Sequence, residues 1–448
     1  MKRNMAIACM AVSLATALTV ACSSAPSASR PEDQQPKSQE KPPEVTKAPV
    51  ELTFYYMYAD SNMDQFMKEH GSLVQKKYPN FSFKFIQNTK GSTLQDLIAA
   101  GEHIDVFITI NPSFLQIKEV ELDGDITDLV KKYNFDLNRF EPSIIDGLRK
   151  VGEGKLPGLP FRTNTLGLFY NKDIFDRFGI PYLKDGMTWD EIYDTAKQLT
   201  REDSGVQYRG FGIRTLGQLL QLNQLSHPLL DPATRKSTVN NDAWKSYVDN
   251  FSRFYGIAGW QPTSALTQDA KQYDMFFKEK SLAMLVQMNS DYPKDFQKLD
   301  VNWDVVSFPT FKEKPGIGPQ PDVVYYALSR NSKHRDEAFL AMAELTSDAV
   351  QLERSRIGSP SVLKSKEIRD AFGTATTDLN GKNKAGLIPQ QYASPTPYTK
   401  YNLKVVAPLA GAFRNSVTGQ KDVNTALREA EEKANKDIEA MILLEGNK

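Results

Sequence analysis

Between residues 50 and 110, apolar runs of strand length alternate with stretches of helical period, and this alternation narrows the choice of fold more than anything else in the chain. Residues 50–58 (VELTFYYMY) predict a strand, 63–77 a helix, 81–86 a strand, 94–100 a helix and 104–110 (IDVFITI) a buried strand. Strand, helix and strand in succession predict an α/β fold with a parallel sheet covered by helices. Ligands in such sheets bind beyond the carboxyl ends of the strands. The loops 58–62 and 111–114, after the first and third strands, are therefore the places to expect contacts.

The N-terminus bears on the compartment. Lys2 and Arg3 precede an apolar stretch over 6–20 that ends in Thr19-Val20-Ala21-Cys22. The stretch is too short to span a bilayer as a mature helix. It resembles a lipoprotein signal, which implies removal of residues 1–21 and a lipid on the Cys22 sulfur, tying the protein to the outer face of the cell membrane. One position departs from that pattern: Thr19 stands where Leu is usual, with Leu18 one place early. The alternative is an ordinary secretory signal that releases a free protein. Residues 22–49 are rich in Pro, Ser, Gln and charge and contain no aromatic residue. They cannot bury enough apolar surface to fold and read as a disordered tether, spanning ~30 Å as a flexible chain.

The only cysteines are Cys9 and Cys22, so the mature chain keeps one thiol-bearing residue and can form neither an internal disulfide nor a Cys-based metal site. Lys plus Arg and Asp plus Glu both number 55. Without a basic stripe interleaved with aromatics, nucleic acid is not an expected partner. Roughly 400 residues suffice for a large core shared by two domains.

Residues 170–200 (YNKDIFDRFGIPYLKDGMTWDEIYDTAKQLT) are punctuated as two helices. Asn171 caps the first, and Gly179 followed by Pro181 stops it. Thr188 and Glu191 form a capping box for the second, whose buried face is Ile192, Ala196 and Leu199. The string resembles the signature of the extracellular solute-binding proteins of ABC importers, in the carbohydrate-binding family that includes the maltose- and oligosaccharide-binding proteins. Further matches follow in order: Asp105-Val106-Phe107, 275–288 (MFFKEKSLAMLVQM, without the usual Gly), 326–346, 357–362 (IGSPSV) and 423–442.

The resemblance implies two lobes, each a mostly parallel sheet flanked by helices, hinged by crossing segments and closing on a ligand held between them. It places lobe 1 at 50–162 and 310–362, and lobe 2 at 163–309 and 363–448, with crossings near 159–164 and Pro309. It implies capture of a carbohydrate, most simply an oligosaccharide, by a monomer that hands it to membrane permease subunits. No catalysis and no cofactor belong to that scheme.

Contacts expected from matched positions are Tyr58 and Asp60 in the first loop and Asn111 and Ser113 after the third strand. Asn164 stands where maltose-binding members carry a carboxylate. Arg162 can give bidentate hydrogen bonds to vicinal hydroxyls or to a uronic acid carboxylate. Sugars pair aromatic rings with polar groups. The run 287–292 (QMNSDY) accordingly contributes Gln287, Asp291 and Tyr292, and Trp260, before Gln261-Pro262, is the favoured stacking platform. Trp189, Trp303 and Trp244 read as packing residues on a helix, a strand and a helix. Asp123, Asp125 and Asp128 lack the Gly and Glu of a calcium loop, and His70, His103, His227 and His334 lack metal-ligand spacing. No hydrolase, zinc-protease or Walker motif occurs. Two alternatives stay open: a lipoprotein glycoside hydrolase, whose carboxylate pair needs no local motif, and a co-receptor that presents ligand to a membrane sensor.

Overall fold

The computed structural model describes residues 46–291 and 300–446. Nine strands build its two main sheets: β1 (Val50–Tyr56), β2 (Phe81–Gln87), β3 (Val106–Thr109), β4 (Gly158–Asn164), β5 (Leu166–Asn171), β6 (Gly212–Ile213), β7 (Met284–Met288), β8 (Trp303–Val306) and β9 (Asp322–Leu328). β1 is buried along most of its length and pairs in parallel with β2 on one side and β3 on the other. That is the parallel crossover arrangement the alternation predicts. β9 then enters antiparallel to both β3 and β4, completing the order β2-β1-β3-β9-β4. Four of these five strands thus run one way. In the second sheet, β8-β5-β7-β6, β5 alone opposes the others.

Each sheet has its own core. Around the first, Phe54, Phe66, Phe83, Phe161 and Tyr326 pack ring to ring, with Phe161 stacked on Tyr326 at 4.5 Å. Around the second, Trp189 meets Phe211, Phe251 and Phe308 edge-on. The first core draws on Val50 to Phe161 and on Val323 to Ile368, the second on Leu166 to Phe311 and on Phe372 to Ile438. The chain passes between them at buried Thr165, which separates β4 from β5.

The local punctuation holds. Asn171 caps the helix Lys172–Phe178, which ends at left-handed Gly179 (φ 66°). Thr188 and Glu191 form a reciprocal capping box on Trp189–Leu199. Two details differ from expectation. The segment 111–114 is not a loop but the first turn of the helix Asn111–Glu119, where Pro112 occupies a position that needs no intrahelical donor. The helix over 63–77 contains a π-helical turn, Met67–Gly71, between Met63–Phe66 and Ser72–Lys77. The signal, Cys22 and nearly all of the tether lie outside the described residues. Among those described, no helix is long and apolar enough to cross a membrane.

Candidate functional site

A cavity of about 1050 Å³ opens beside the passage between the two cores. Asp60, from the bend after β1, and Arg162 and Asn164, from the end of β4, line it on one side. Asn289 and Ser290, in the turn after β7, line it on the other, and Ser359 and Pro360 complete the rim. Asn289 is held rigidly: its Oδ1 accepts from the Thr165 amide (2.9 Å) and its Nδ2 donates to the Leu387 carbonyl (3.0 Å).

Asn164 and Asp322 face each other across the β4–β9 pair, and Asn164 Nδ2 donates to Asp322 Oδ2 at 3.1 Å. Burial lifts the Asp322 carboxyl above the usual carboxylate range, against the opposing pull of that hydrogen bond and of Arg162. Tyr58 lies just outside the lining. Its hydroxyl meets Ser113 Oγ at 2.8 Å, and its ring packs edge-on against Tyr56, which does line the cavity. Asn111 Oδ1 is buried without a hydrogen-bond partner, an acceptor left open at the end of β3.

The sequence-derived picks therefore divide. Asp60, Arg162 and Asn164 meet on one cavity, while Tyr58, Ser113 and Asn111 gather at the ends of the neighbouring strands. Two picks need correction. Trp260 has no exposed surface; its ring lies 4.5 Å from Tyr255 and its Nε1 donates to the Phe211 carbonyl, so it is a core residue of the second sheet and cannot stack on a ligand. Gln287 is not in a loop but on β7 opposite Gly167, fully buried. From the same run, Asn289 and Ser290 reach the cavity instead. Asp291 ends the short 3-10 turn, and Tyr292 lies outside the described residues.

Sequence reading missed the wall that the helix over 63–77 and the helix Asp348–Arg356 contribute. His70 lies buried in the π-helical turn, with Nδ1 2.7 Å from the Tyr326 hydroxyl and 3.1 Å from Arg354 Nη2. Burial, then Arg354 and Arg162, holds its imidazole well below the ordinary value, so the ring is neutral. The Ile-Gly-Ser-Pro string was the one local pointer to this wall. Asp125 and Asp128 serve structural contacts, with the Thr127 and Leu156 amides and with Arg335. Among the described residues, no cluster of three or more His, Cys, Asp or Glu could hold a metal ion.

Residues 58–352 match the family model for the bacterial extracellular solute-binding protein. Among curated proteins, the sn-glycerol-3-phosphate-binding periplasmic protein of Rhizobium meliloti is 23% identical over 328 residues, covering 69% of this chain and 74% of its own. Among solved structures, a sugar transporter from Rhizobium etli in an open conformation superposes with a TM-score of 0.69 at 20% identity, over 86% of this chain and 99% of that one. A cyclo/maltodextrin-binding protein complexed with maltotetraose gives 0.68 at 20%, over 89% and 100%. These are two-lobe binding or transport proteins rather than enzymes, and their likeness carries the fold. The signature at 170–200, the two sheets with a cavity at their junction and the family match agree: this chain belongs to the bacterial extracellular solute-binding protein family.

Proposed function

We propose that the protein is the solute-capturing subunit of an ABC importer and that its ligand is a carbohydrate, most simply an oligosaccharide. The observation that carries this reading is the cavity itself, walled by polar side chains from both cores: Asp60, Arg162 and Asn164 from one, Asn289 and Ser290 from the other. A ligand that touches both walls binds tightly only when they approach, so it shifts the population toward a closed form by its differential affinity. The solved neighbours that bind sugars have the same two-lobe fold, which supports the ligand class.

In this reading the two cores are the bodies of the two lobes; Asn164, Leu363 and Ile368 fall with the first and Phe311 with the second, so the expected bounds at 162, 309 and 362 each shift by a few residues. Asp60 and Asn164 supply hydrogen bonds to hydroxyls, and Tyr58, Ser113 and Asn111 extend the polar surface. Cleavage before Cys22 and lipidation of its sulfur would hold a monomer at the membrane, where permease subunits receive the solute unchanged. A membrane sensor as receiver is the alternative output of the same binding.

Thermal shift of residues 22–448 against mono- and oligosaccharides tests the ligand class. A sugar at 100 times its dissociation constant stabilises by ~2.7 kcal/mol; a panel in which no sugar moves the melt removes carbohydrate from the reading. A phosphorylated polyol is the second candidate, favoured by the cationic side chains Lys68, Arg162, Arg354 and Arg356 on the cavity and by the named ligand of the curated relative. Mass spectrometry of the membrane fraction checks the anchor: a diacylglyceryl adduct on an N-terminal Cys22 is expected, lost in Cys22→Ala.

A further inference from the structure

Arg162 on β4 and Arg354 on the helix Asp348–Arg356 reach the same cavity from different elements. Their guanidinium carbons lie 5.9 and 4.9 Å from the centroid of the single Phe161 ring, so two permanent positive charges share one compartment. Arg162 donates no side-chain hydrogen bond among the described residues, and its Nε is shut off from water without an acceptor. Arg354 is positioned through Nη2, which donates to the Glu69 carbonyl at 2.7 Å and lies near His70 Nδ1 and the Tyr326 hydroxyl. Its Nε is likewise buried without an acceptor.

Neither arginine forms an ion pair with a carboxylate among the described residues. His70, beside Arg354, carries no negative charge. Asp322 Oδ2 accepts from Asn164, the Tyr56 phenol donates to the Asp60 carboxylate, and Glu69 turns toward His70 Nε2 at 3.8 Å. Glu353 also lines the cavity and forms no ion pair with either guanidinium among the described residues. Buried guanidinium donors without acceptors are costly in a folded chain, and a planar oxyanion or a phosphate satisfies them bidentately.

We propose that Arg162 and Arg354 form an oxyanion subsite that takes a carboxylate or phosphate carried by the polyhydroxylated solute. The inference rests on reading this cavity as the solute site, and it specifies an acidic rather than a neutral ligand.

The test is calorimetric titration of residues 22–448 with hits from a thermal-shift panel that pairs neutral oligosaccharides with uronic-acid-bearing counterparts and includes sugar phosphates and sn-glycerol-3-phosphate. The expected result is at least tenfold tighter binding of the acidic member of a pair, weakening as salt is raised. Arg162→Gln, which sacrifices no hydrogen bond to the described residues, should melt like the parent and lose that preference tenfold or more. Arg354→Lys, which keeps the charge but not the fork, should lose part of it. Uronic acids among the hits identify a carboxylate ligand, and sugar phosphates identify a phosphate. Binding of glycerol phosphate with no sugar of any kind keeps the subsite and overturns the carbohydrate reading. Equal or better binding of neutral sugars overturns the subsite and leaves the carbohydrate reading standing. A panel without a single hit overturns both.

Discussion

Trp260 and Asp60 show how differently single residues can be judged. An indole before Gln-Pro has the local look of an exposed platform, yet Trp260 is sealed beneath Tyr255 with its Nε1 on a backbone carbonyl. Trp260→Ala is expected to cost about 3–5 kcal/mol in urea unfolding, while Trp260→Phe should bind ligand as the parent does. Loss of affinity in the Phe variant at unchanged stability would contradict this placement. Asp60 and Arg162 were legible because a loop after a first strand and the end of a crossing strand are exposed by topology. His70 was not, since nothing local marks a histidine that will be buried under two arginines. Its lowered pKa gives a pH dependence. The folded imidazole stays neutral where the unfolded one is charged, so below about 6.5 the unfolded state binds the extra proton and stability falls by up to about 1.4 kcal/mol per pH unit. His227, lowered by burial and Lys314, adds to the same fall. His70→Asn should therefore lose less stability than the parent between pH 7.5 and 5.5 in denaturant titrations.

Among elements, those whose cause is local were readable. β1, β2 and the helices between them match their apolar periods within two residues, and the Thr188 capping box is present with both bonds. Thr188→Ala is expected to cost about 1 kcal/mol, measured by thermal unfolding. The π-helical turn at Met67–Gly71 and the helix starting at Asn111 were not readable, because packing and a proline at a helix start decide them rather than period. Sheet pairing imposes a stricter demand at Gly158. A Cβ there would sit 1.7 Å from the Tyr326 carbonyl oxygen on β9. Gly158→Ala should therefore separate β4 from β9 at a cost of about 3 kcal/mol or more, seen as a lower melting temperature or loss of soluble protein. A parent-like melt would show that this strand pair can give way.

For the whole molecule, the order of family-like segments along the chain carried the two-sheet architecture, and the match over residues 58–352 supports it. If the cavity is a cleft that closes on its solute, small-angle scattering should give a smaller radius of gyration with saturating ligand than without. Identical values would argue for a rigid binder. The strand–helix alternation, the helix caps and the family follow from the order of residues along the chain, because each depends on neighbours a few residues apart or on motif order. Which side chains share the cavity depends on packing between distant segments. Arg162 and Arg354 stand nearly two hundred positions apart, and they line one cavity because β4 and the helix Asp348–Arg356 bring them to the same place. Trp260 was removed from the site by the same kind of long-range contact, which no local pattern encodes.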